Sequence, residues 1–195
     1  MEKSIVDSRV RRTKKLLRHG ITELMEQKSL NKITVKELSE LVEINRGTFY
    51  LHYKDIYDLV SQIENELFEE FKQIIFTYEL ADLETRPYKV FSDVCTFFHK
   101  NREICAALLS DNGDLSFMKM FRKILREKCL NELTVLYHIT EVDEYRYIYA
   151  YFENGAVGII HYWLETDDGK SPDEIALLIE NIFVNGINGF KQNNN

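Results

Sequence analysis

The sequence predicts an all-α protein in which a three-helix N-terminal domain precedes a larger helical C-terminal domain. Two prolines and eight glycines in 195 residues leave long stretches without helix breakers. Apolar residues recur every three or four positions along most of the chain, which is the spacing of amphipathic helices. Residues 34–54, TVKELSELVEINRGTFYLHYK, show two short helices around a tight turn. We expect about nine helices, with residues 1–55 in the first domain and residues 56–195 in the second.

The first short helix of segment 34–54 has a clear start signal. Thr34 is followed three residues later by Glu37. The Thr34 hydroxyl can therefore accept from the Glu37 N–H, while the Glu37 carboxylate reaches back to the Thr34 N–H. A helix of about eight residues is not stable alone, so its apolar face must be buried. The side chains on that face are Val35, Leu38, Leu41 and Val42.

The second short helix carries the chemistry of nucleic-acid recognition. Asn45 is a good N-cap, because its side-chain oxygen can accept from a free N–H in the first turn. A short residue such as Gly47 lets the front of the helix approach phosphates or base edges. The Arg46 guanidinium matches the two acceptors of a guanine edge. A helix-turn-helix of this kind places its second helix in the DNA major groove.

The other contacts of this helix follow from side-chain chemistry. Thr48 can touch a thymine methyl or a phosphate, Leu51 a thymine methyl, and Tyr50 and His52 phosphates. The side chains expected in the core are Phe49 and Tyr53. The predicted DNA-binding residues are Thr34, Lys36, Asn45, Arg46, Gly47, Thr48, Tyr50, Leu51, His52 and Lys54.

An ITVKELSELVEI helix followed by NRGTFYLHYKD resembles the DNA-binding domain of the TetR/AcrR family of transcriptional regulators, over about residues 8–60. The resemblance implies a three-helix DNA-binding domain, a divergent helical C-terminal domain and a homodimer, most often a repressor released by a small molecule. HYWLETDDGKSPDEIA is similar to the DhaS-like branch of that family. The chain departs at the second position of the fourth helix. The family often has a phosphate-contacting lysine there, whereas this chain has Ile56. That phosphate contact is therefore expected to be absent, and Lys54 can partly replace it.

Charge is distributed unevenly along the chain. Residues 1–55 carry 12 Lys and Arg against 8 Asp and Glu, whereas residues 56–195 have a net charge of −11. A local basic patch supplies the attraction to phosphates, so the total of −7 does not exclude DNA binding. The basic cluster at the start of the first helix fits either a solvated face or phosphate contact, and the adjacent helix-turn-helix favours phosphate contact for a few of its members. These are Arg9, Arg11, Arg12, Lys14, Lys15 and Arg18.

Periodicity and cap signals place the remaining helices. The first runs over about residues 8–27, and a long amphipathic helix over 56–79, capped by Asp55, links the two domains. The buried stripe of the first helix is Leu17, Ile21, Leu24 and Met25. Further helices are expected at 87–100, 102–110, 115–138, 141–166 and 172–190, with a loop at 81–86 and turns at 111–114 and 167–170. Their start signals are Pro87, Asp114, Thr140 with Asp143, and Ser171 with Glu174.

Helix 141–166 is apolar nearly all round, so more than one of its faces must be buried. Together with the last helix it can form a four-helix interface between two subunits. Such a dimer matches a palindromic DNA operator with half-sites about one helical turn apart. The alternative is that helix 141–166 is only the core helix of a monomer. The predicted interface residues are Gly155, Gly158, Ile159, Tyr162, Ile175, Ile179, Phe183 and Gly186.

The resemblance also implies a pocket for a small-molecule effector in the C-terminal domain. For each available aromatic or polar residue, the alternative is plain core packing. An effector would act through different affinities for two domain arrangements, with helix 56–79 as the lever that moves the recognition helices. The candidate pocket residues are Phe91, Cys95, Phe98, His99, Tyr147, Tyr151 and His161.

Several functions are disfavoured by missing signals. Three cysteines without CxxC spacing indicate buried thiols of a reducing compartment. The five histidines share no zinc-ligand spacing, so neither a metal nor a cofactor is expected. No phosphate loop, HExxH motif, nucleophile elbow or carboxylate pair indicates an enzyme. An N-terminus without an apolar core, and no apolar run of about 18 residues, predict a cytoplasmic protein without membrane contact.

One rival to direct DNA control remains open. The chain can act as a TetR-like co-activator or protein-interaction module, in which the acidic C-terminal domain binds another regulator. The salt dependence of DNA binding separates the two functions. A DNA reader with several phosphate contacts loses affinity steeply as salt rises, whereas a co-activator alone has little specific DNA affinity.

Overall fold

The computed structural model describes residues 2–110, 115–136, 142–166 and 168–193. Regular structure in these ranges is helical, with ten α-helices, one short 3-10 turn and no strand, so the all-α prediction is confirmed. No helix among these residues is long and apolar enough to cross a membrane. The helices are α1 (Glu2–Gln27), α2 (Val35–Leu41), α3 (Arg46–Tyr50), α4 (Ile56–Thr77), α5 (Leu80–Thr85), α6 (Pro87–Lys100), α7 (Arg102–Leu109), α8 (Leu115–Leu136), α9 (Val142–Glu165) and α10 (Pro172–Asn193).

Two predicted helix starts are formed by the predicted side chains. Asp55 precedes α4, and its carboxylate accepts from the Asp58 N–H at 2.8 Å. Ser171 precedes α10, and the Glu174 carboxylate accepts from the Ser171 N–H at 2.8 Å and from its hydroxyl at 2.9 Å. Both helices therefore begin with bonds between near neighbours in sequence. The predicted signals outside the described residues are the turn at 111–114 with Asp114 and the cap at Thr140.

The predicted loop at 81–86 was wrong, because residues 80–85 form the short helix α5. The Glu79 N–H donates to Asp82 Oδ2 at 2.8 Å, which caps the first turn. Arg86 Nη2 donates to Asp82 Oδ1 at 2.6 Å from just beyond the last turn. These hydrogen bonds lower the pKa of Asp82. A single carboxylate thus joins both ends of a six-residue helix, which apolar periodicity alone does not reveal.

The chain divides into two compact units. The first contains residues 1–67 and 103–117, and the second contains residues 68–102 and 118–195. The core of the first unit includes the predicted stripe of α1 together with side chains from α2, α3 and α4. Its most deeply buried side chains are Leu17, Ile21, Met25, Leu38, Phe49 and Leu59. The proposed domain boundary at residues 55 and 56 stays a prediction.

Helices α1 and α2 approach closely at Gly20. A Cβ at Gly20 would lie 2.3 Å from Val42 Cγ1 and 3.0 Å from Leu38 Cδ1. Leu38 is fully buried, whereas Leu41 at the end of the predicted face is 39% exposed. Since α2 has only seven residues, this contact holds the whole helix in place.

A group of four phenylalanines lies in the core of the second unit. The Phe71 ring of α4 lies with its centroid 4.7 Å from that of Phe121 in α8. It lies 5.5 Å from Phe97 and 5.9 Å from Phe98 of α6. Aromatic pairs at these separations add to the stabilisation that burial alone provides. The cluster packs α4, α6 and α8 together.

The C-terminal end of α9 is held by Arg102. Its Nη2 donates to the carbonyl oxygens of Trp163 at 2.8 Å and Thr166 at 2.6 Å. The guanidinium also lies over the Trp163 ring, 5.8 Å from its centroid, and the His99 ring stacks on the same indole. Trp163 Nε1 donates to the Lys170 carbonyl at 3.0 Å. The carbonyl groups at the C-terminal end of α9 lack partners within the helix, and here they accept hydrogen bonds from the Arg102 guanidinium.

Candidate functional site

Helix α2 starts as predicted, but its second capping group has another partner. The Thr34 hydroxyl accepts from the Glu37 N–H at 3.2 Å. The Glu37 carboxylate pairs with Lys28 Nζ, just beyond α1. The expected bond from Glu37 back to Thr34 is thus replaced by an ion pair across nine residues. This pair ties the start of α2 to the end of α1.

The turn between α2 and α3 contains a residue in the left-handed region. Glu43 has φ of 54°, the one positive φ of a non-glycine residue in the described ranges. The Ile44 N–H donates to the Ser39 carbonyl at 3.0 Å, and the Glu43 N–H to the Glu40 carbonyl at 3.4 Å. This pattern is a Schellman helix end, in which glycine is the usual residue at the left-handed position. Here a glutamate occupies it at an energetic cost.

Helix α3 buries one face and presents the other. Asn45 Oδ1 accepts from the Gly47 N–H at 2.7 Å, which is the predicted N-cap. Phe49 is fully buried and fixes the helix to the core of the first unit. Tyr50 is 58% exposed and Leu51 is 80% exposed. A solvent-facing leucine on a short helix has no role in packing this chain, so the outward face is available for recognition.

The remaining predicted DNA-binding residues surround this outward face. Lys36 and Lys54 are exposed, while Thr48 and His52 are half-buried. The Lys54 N–H donates to Asp58 Oδ2 at 2.8 Å, and this bond lowers the pKa of Asp58. The backbone at Lys54 is therefore fixed while its side chain faces solvent.

The sequence departure at Ile56 has a structural counterpart. Ile56 is the first residue of α4 and is only 4% exposed, so it belongs to the core. Tyr53, also predicted for the core, is 5% exposed. Burial raises the pKa of its phenol, and nearby Glu66 adds to the effect. Lys14 Nζ lies 5.9 Å from the centroid of the Tyr53 ring, so this member of the basic cluster on α1 lies beside the α3–α4 connection.

An acidic side chain that the sequence reasoning missed lies beside Arg46. Glu40 Oε1 is 3.8 Å from Arg46 Nη2 and 4.0 Å from Lys36 Nζ. All three side chains are more than half exposed. The signal for the Lys36–Glu40 pair was its four-residue spacing on a helix. The approach of Arg46 depends on the turn between α2 and α3.

The predicted pocket residues lie in several different environments of the second unit. Phe98 belongs to the phenylalanine cluster, and His99 stacks on Trp163. Phe91 packs against Phe183, with centroids 5.4 Å apart. Tyr147 is 79% exposed. The other predicted members are the exposed Tyr151, the half-buried His161 and the fully buried Cys95.

Cys95 has the environment of a structural thiol. Burial, with a smaller contribution from Asp173, raises its pKa to about 12. The thiolate is the reactive form of cysteine, so this thiol is inert at neutral pH. Cys105 is also buried, and the side chain of Cys129 lies outside the described residues. Within the described ranges no group of three or more His, Cys, Asp or Glu side chains is arranged to hold a metal ion.

The predicted interface residues fall into an exposed and an interior set. Gly155 and Gly158 are exposed, with no atom within 4 Å of a Cβ built on either, and Tyr162 is 65% exposed. Ile159 is half-buried. A correction concerns α10, which lies against α6 and α9, so that Ile175 and Ile179 are buried inside the chain at 4% and 5% exposure. Phe183 is half-buried and contacts Phe91 and Phe152, while Gly186 is exposed, with its Cβ position 2.3 Å from Phe152.

A capped two-helix element with an outward, anchored second helix defines this chain as a helix-turn-helix protein. The family model described as "Transcriptional regulator C-terminal region" of the TetR type matches residues 85–185, which is more than half of the chain. The chain therefore belongs to the TetR family of transcriptional regulators, and it is not an enzyme. The HTH-type transcriptional regulator YxbF of Bacillus subtilis strain 168 is 21% identical over 169 residues. That match covers 82% of this chain and 42% of YxbF, so this chain spans less than half the length of that relative.

Solved structures share the fold at low sequence identity. A TetR/AcrR-family regulator from Aquifex aeolicus VF5 matches with a TM-score of 0.64 at 14% identity, covering 87% of this chain and 96% of its own. A TetR regulator from Streptococcus agalactiae 2603V matches with a TM-score of 0.59 at 19% identity, covering 92% and 98%. The dihydroxyacetone kinase operon activator DhaS matches with a TM-score of 0.58 at 17% identity, covering 90% and 96%.

Proposed function

We propose that this TetR-family regulator is a homodimer that reads a palindromic DNA operator with α3. The observation that carries the proposal is the outward face of α3, where Arg46, Tyr50 and Leu51 are exposed on a helix anchored by buried Phe49. An arginine at the start of such a helix can bind a guanine edge, and an exposed leucine can contact a thymine methyl. The nearby lysines supply sequence-independent phosphate contacts.

The exposed surface of α9 supports the homodimer. Tyr147, Tyr151, Gly155, Gly158 and Tyr162 recur at intervals of three or four residues, so they lie along one stripe of the helix. The three tyrosines are 65% to 79% exposed within one chain. Large exposed aromatics beside glycines are typical of a surface that another helix covers. The stripe includes Tyr147 and Tyr151, which were predicted to line the effector pocket. Their high exposure fits a contact between subunits better than a place in a pocket.

Helix α10 contributes a second exposed apolar surface. Leu178 is 45% exposed and Ile182 is 41% exposed, one turn apart on the flank of α10 that adjoins the buried Ile175 and Ile179. A two-fold axis that pairs α9 and α10 with their copies yields a four-helix interface. The same axis relates two α3 helices, as a palindromic operator with half-sites about 34–36 Å apart requires.

Repression relieved by a small molecule is the proposed mode of control. The aromatic interior of the second unit offers apolar surface of the kind that small-molecule sites use. The regulator FadR from Bacillus subtilis, whose structure contains stearoyl-CoA, shares the fold with a TM-score of 0.55 at 15% identity. An effector acts here only if it binds the DNA-competent and DNA-incompetent arrangements with different affinities.

A co-activator that binds another regulator is the second candidate. Ile56 favours it, because the residue that replaces the phosphate-contacting lysine is buried in the core and cannot reach DNA. The operon activator DhaS, to which the α9–α10 connection is similar in sequence, also shares the fold. In this alternative the acidic second unit presents the partner surface.

Fluorescence anisotropy on DNA from upstream of the protein's own gene tests DNA reading. The protein is compared at two salt concentrations with Arg46→Ala and with Arg126→Ala, which removes the same charge from an exposed site on α8. Selective, salt-sensitive binding that is lost only in Arg46→Ala supports DNA reading by α3. Absence of selective binding by the wild-type protein favours the co-activator. Adding a ligand such as stearoyl-CoA to the same assay tests release, and a bound ligand that leaves DNA affinity unchanged contradicts it.

Light scattering after size exclusion tests the dimer. Gly158→Leu places a side chain where one chain leaves open space, so the monomer fold tolerates it while close helix approach is blocked. We expect the variant to be monomeric at micromolar concentration. Lys119→Leu adds the same side chain at an exposed position of α8 and should remain dimeric. A monomeric wild-type protein, or a dimeric Gly158→Leu variant, excludes the proposed interface.

A further inference from the structure

Glu40 is a negative charge placed within the surface proposed to face a polyanion. Its carboxylate lies 3.8 Å from Arg46 and 4.0 Å from Lys36, both of which are proposed DNA contacts. Carboxylates in such a surface reduce affinity, because they repel phosphates and offset the counterion release that drives binding. Glu40 is therefore expected to weaken DNA binding, so its presence beside Arg46 needs another explanation.

Stability of the free protein does not account for this placement. The side chains of Glu40 and Arg46 are 64% and 54% exposed, and ion pairs this exposed contribute little to folding stability. The separation of 3.8 Å is also longer than a hydrogen bond. The guanidinium consequently keeps its N–H donors available for another acceptor while it remains in the field of the carboxylate.

An arginine at a DNA surface has two kinds of acceptor within reach. Phosphate oxygens are charged and present at every sequence, whereas the O6 and N7 atoms of guanine are uncharged and present only at particular steps. A carboxylate beside the guanidinium repels a charged phosphate much more strongly than an uncharged guanine edge. It therefore weakens binding to arbitrary DNA more than binding to a site with guanine in the right place.

We propose that Glu40 is a specificity-determining residue of DNA recognition, which holds Arg46 towards base edges and disfavours its use as a phosphate contact. The inference rests on the proposed reading of DNA by α3 and adds a second residue to it. Glu40 is a positioning residue that acts through Arg46. Specificity gained by disfavouring wrong partners is a general strategy of recognition surfaces.

The chain offers a charge-matched control in the same turn. Glu43 is exposed and lies three residues after Glu40. Glu43→Gln keeps a side chain at the position with left-handed backbone geometry, as in the wild type, and removes one negative charge. Glu40→Gln removes the same charge and also the partner of Arg46. Comparing the two separates the local pair from the general electrostatic effect.

The experiment begins with selection of a preferred duplex from a random-sequence pool by the wild-type protein. Affinities are then measured for that duplex and for a scrambled duplex of the same composition, and their ratio defines the selectivity. We expect Glu40→Gln to lower this ratio about tenfold, mainly by tightening binding to the scrambled duplex. Glu43→Gln should tighten both complexes and leave the ratio within twofold. In an Arg46→Ala background, Glu40→Gln should no longer change the ratio, because the coupled partner is gone.

Three results overturn the inference without overturning the proposed function. Equal changes in the ratio for Glu40→Gln and Glu43→Gln would make Glu40 a general charge. A change that persists in the Arg46→Ala background would make its action independent of Arg46. An unchanged ratio in Glu40→Gln, with selective binding by the wild type, would remove Glu40 from recognition and leave DNA reading intact. A wild-type protein that selects no duplex overturns the proposed function itself, and the inference with it.

Discussion

The helix starts of the first unit and the long-range contacts of the second unit depend on hydrogen bonds that span very different lengths of sequence. In the first unit, the side-chain bonds that start α2, α3 and α4 join residues two or three positions apart, as in Asn45 to Gly47. In the second unit, Arg102 reaches Trp163 across 61 residues and Arg122 reaches buried Glu153 across 31. Tyr88 reaches Asp173 across 85 residues.

This difference explains why the helix starts could be predicted from the sequence, whereas the long-range contacts of the second unit could not. Caps follow from the identity of neighbouring residues, so a short window of sequence contains both partners. A bond across 61 residues depends on how whole helices pack, which no short window contains. Substitutions at the long-range contacts of the second unit should therefore act through packing, and substitutions at the capped turns of the first unit through local backbone geometry.

The largest effect is expected from the phenylalanine cluster. Phe71→Ala removes a ring that touches three others and leaves a cavity, which costs about 3–5 kcal/mol. Phe76→Ala is the control, because Phe76 is on the same helix and 51% exposed, and should cost less than about 1 kcal/mol. Denaturation followed by fluorescence of the single tryptophan, Trp163, measures both. Similar losses for the two variants would show that the cluster does not dominate the second unit.

Arg102→Ala tests the contact between Arg102 and the C-terminal end of α9, which spans 61 residues of sequence. The substitution leaves the carbonyls of Trp163 and Thr166 without their charged donor, and we expect a loss of about 1.5–3 kcal/mol. Arg102→Lys keeps the charge but not the planar fork that reaches both oxygens, so it should lose an intermediate amount. If Arg102→Ala matches the exposed control Arg126→Ala in urea denaturation, the clamp contributes nothing.

Gly20→Ala tests the close approach of α1 and α2. Alanine gains about 1 kcal/mol in helix propensity, whereas overpacking costs about 1–3 kcal/mol. With Val42 Cγ1 2.3 Å from the new Cβ, we expect overpacking to win by about 1 kcal/mol. Adding Val42→Ala removes the clashing atom and should recover part of the loss. Amide hydrogen exchange of α2 reports the local effect, and a Gly20→Ala variant with stronger protection there would contradict the contact.

The contrast between local and long-range contacts also determines how much of the site could be predicted from the sequence. The caps at Thr34, Asn45 and Asp55, and the buried Phe49, were predictable because each depends on its neighbours or on helical periodicity. The Arg46–Glu40 proximity was not, because it depends on the path of the intervening turn. In the second unit the periodicity located the helices but not their partners. The sequence prediction therefore assigned Ile175 and Ile179 of α10 to a surface that the chain itself covers.

The smallest effect is expected at the turn between α2 and α3, where a residue other than glycine has left-handed backbone geometry. Glu43 occupies a position with φ of 54°, which glycine adopts without steric cost. Relief of that strain is partly offset by the greater chain entropy of glycine when unfolded, so Glu43→Gly should stabilise by about 0.5–1 kcal/mol. Glu43→Ala keeps a Cβ at the left-handed position and should give no such gain. Thermal unfolding of the three proteins decides the point. Equal midpoints for Glu43→Gly and Glu43→Ala would show that the turn stores no strain, and that even here local geometry is set by packing.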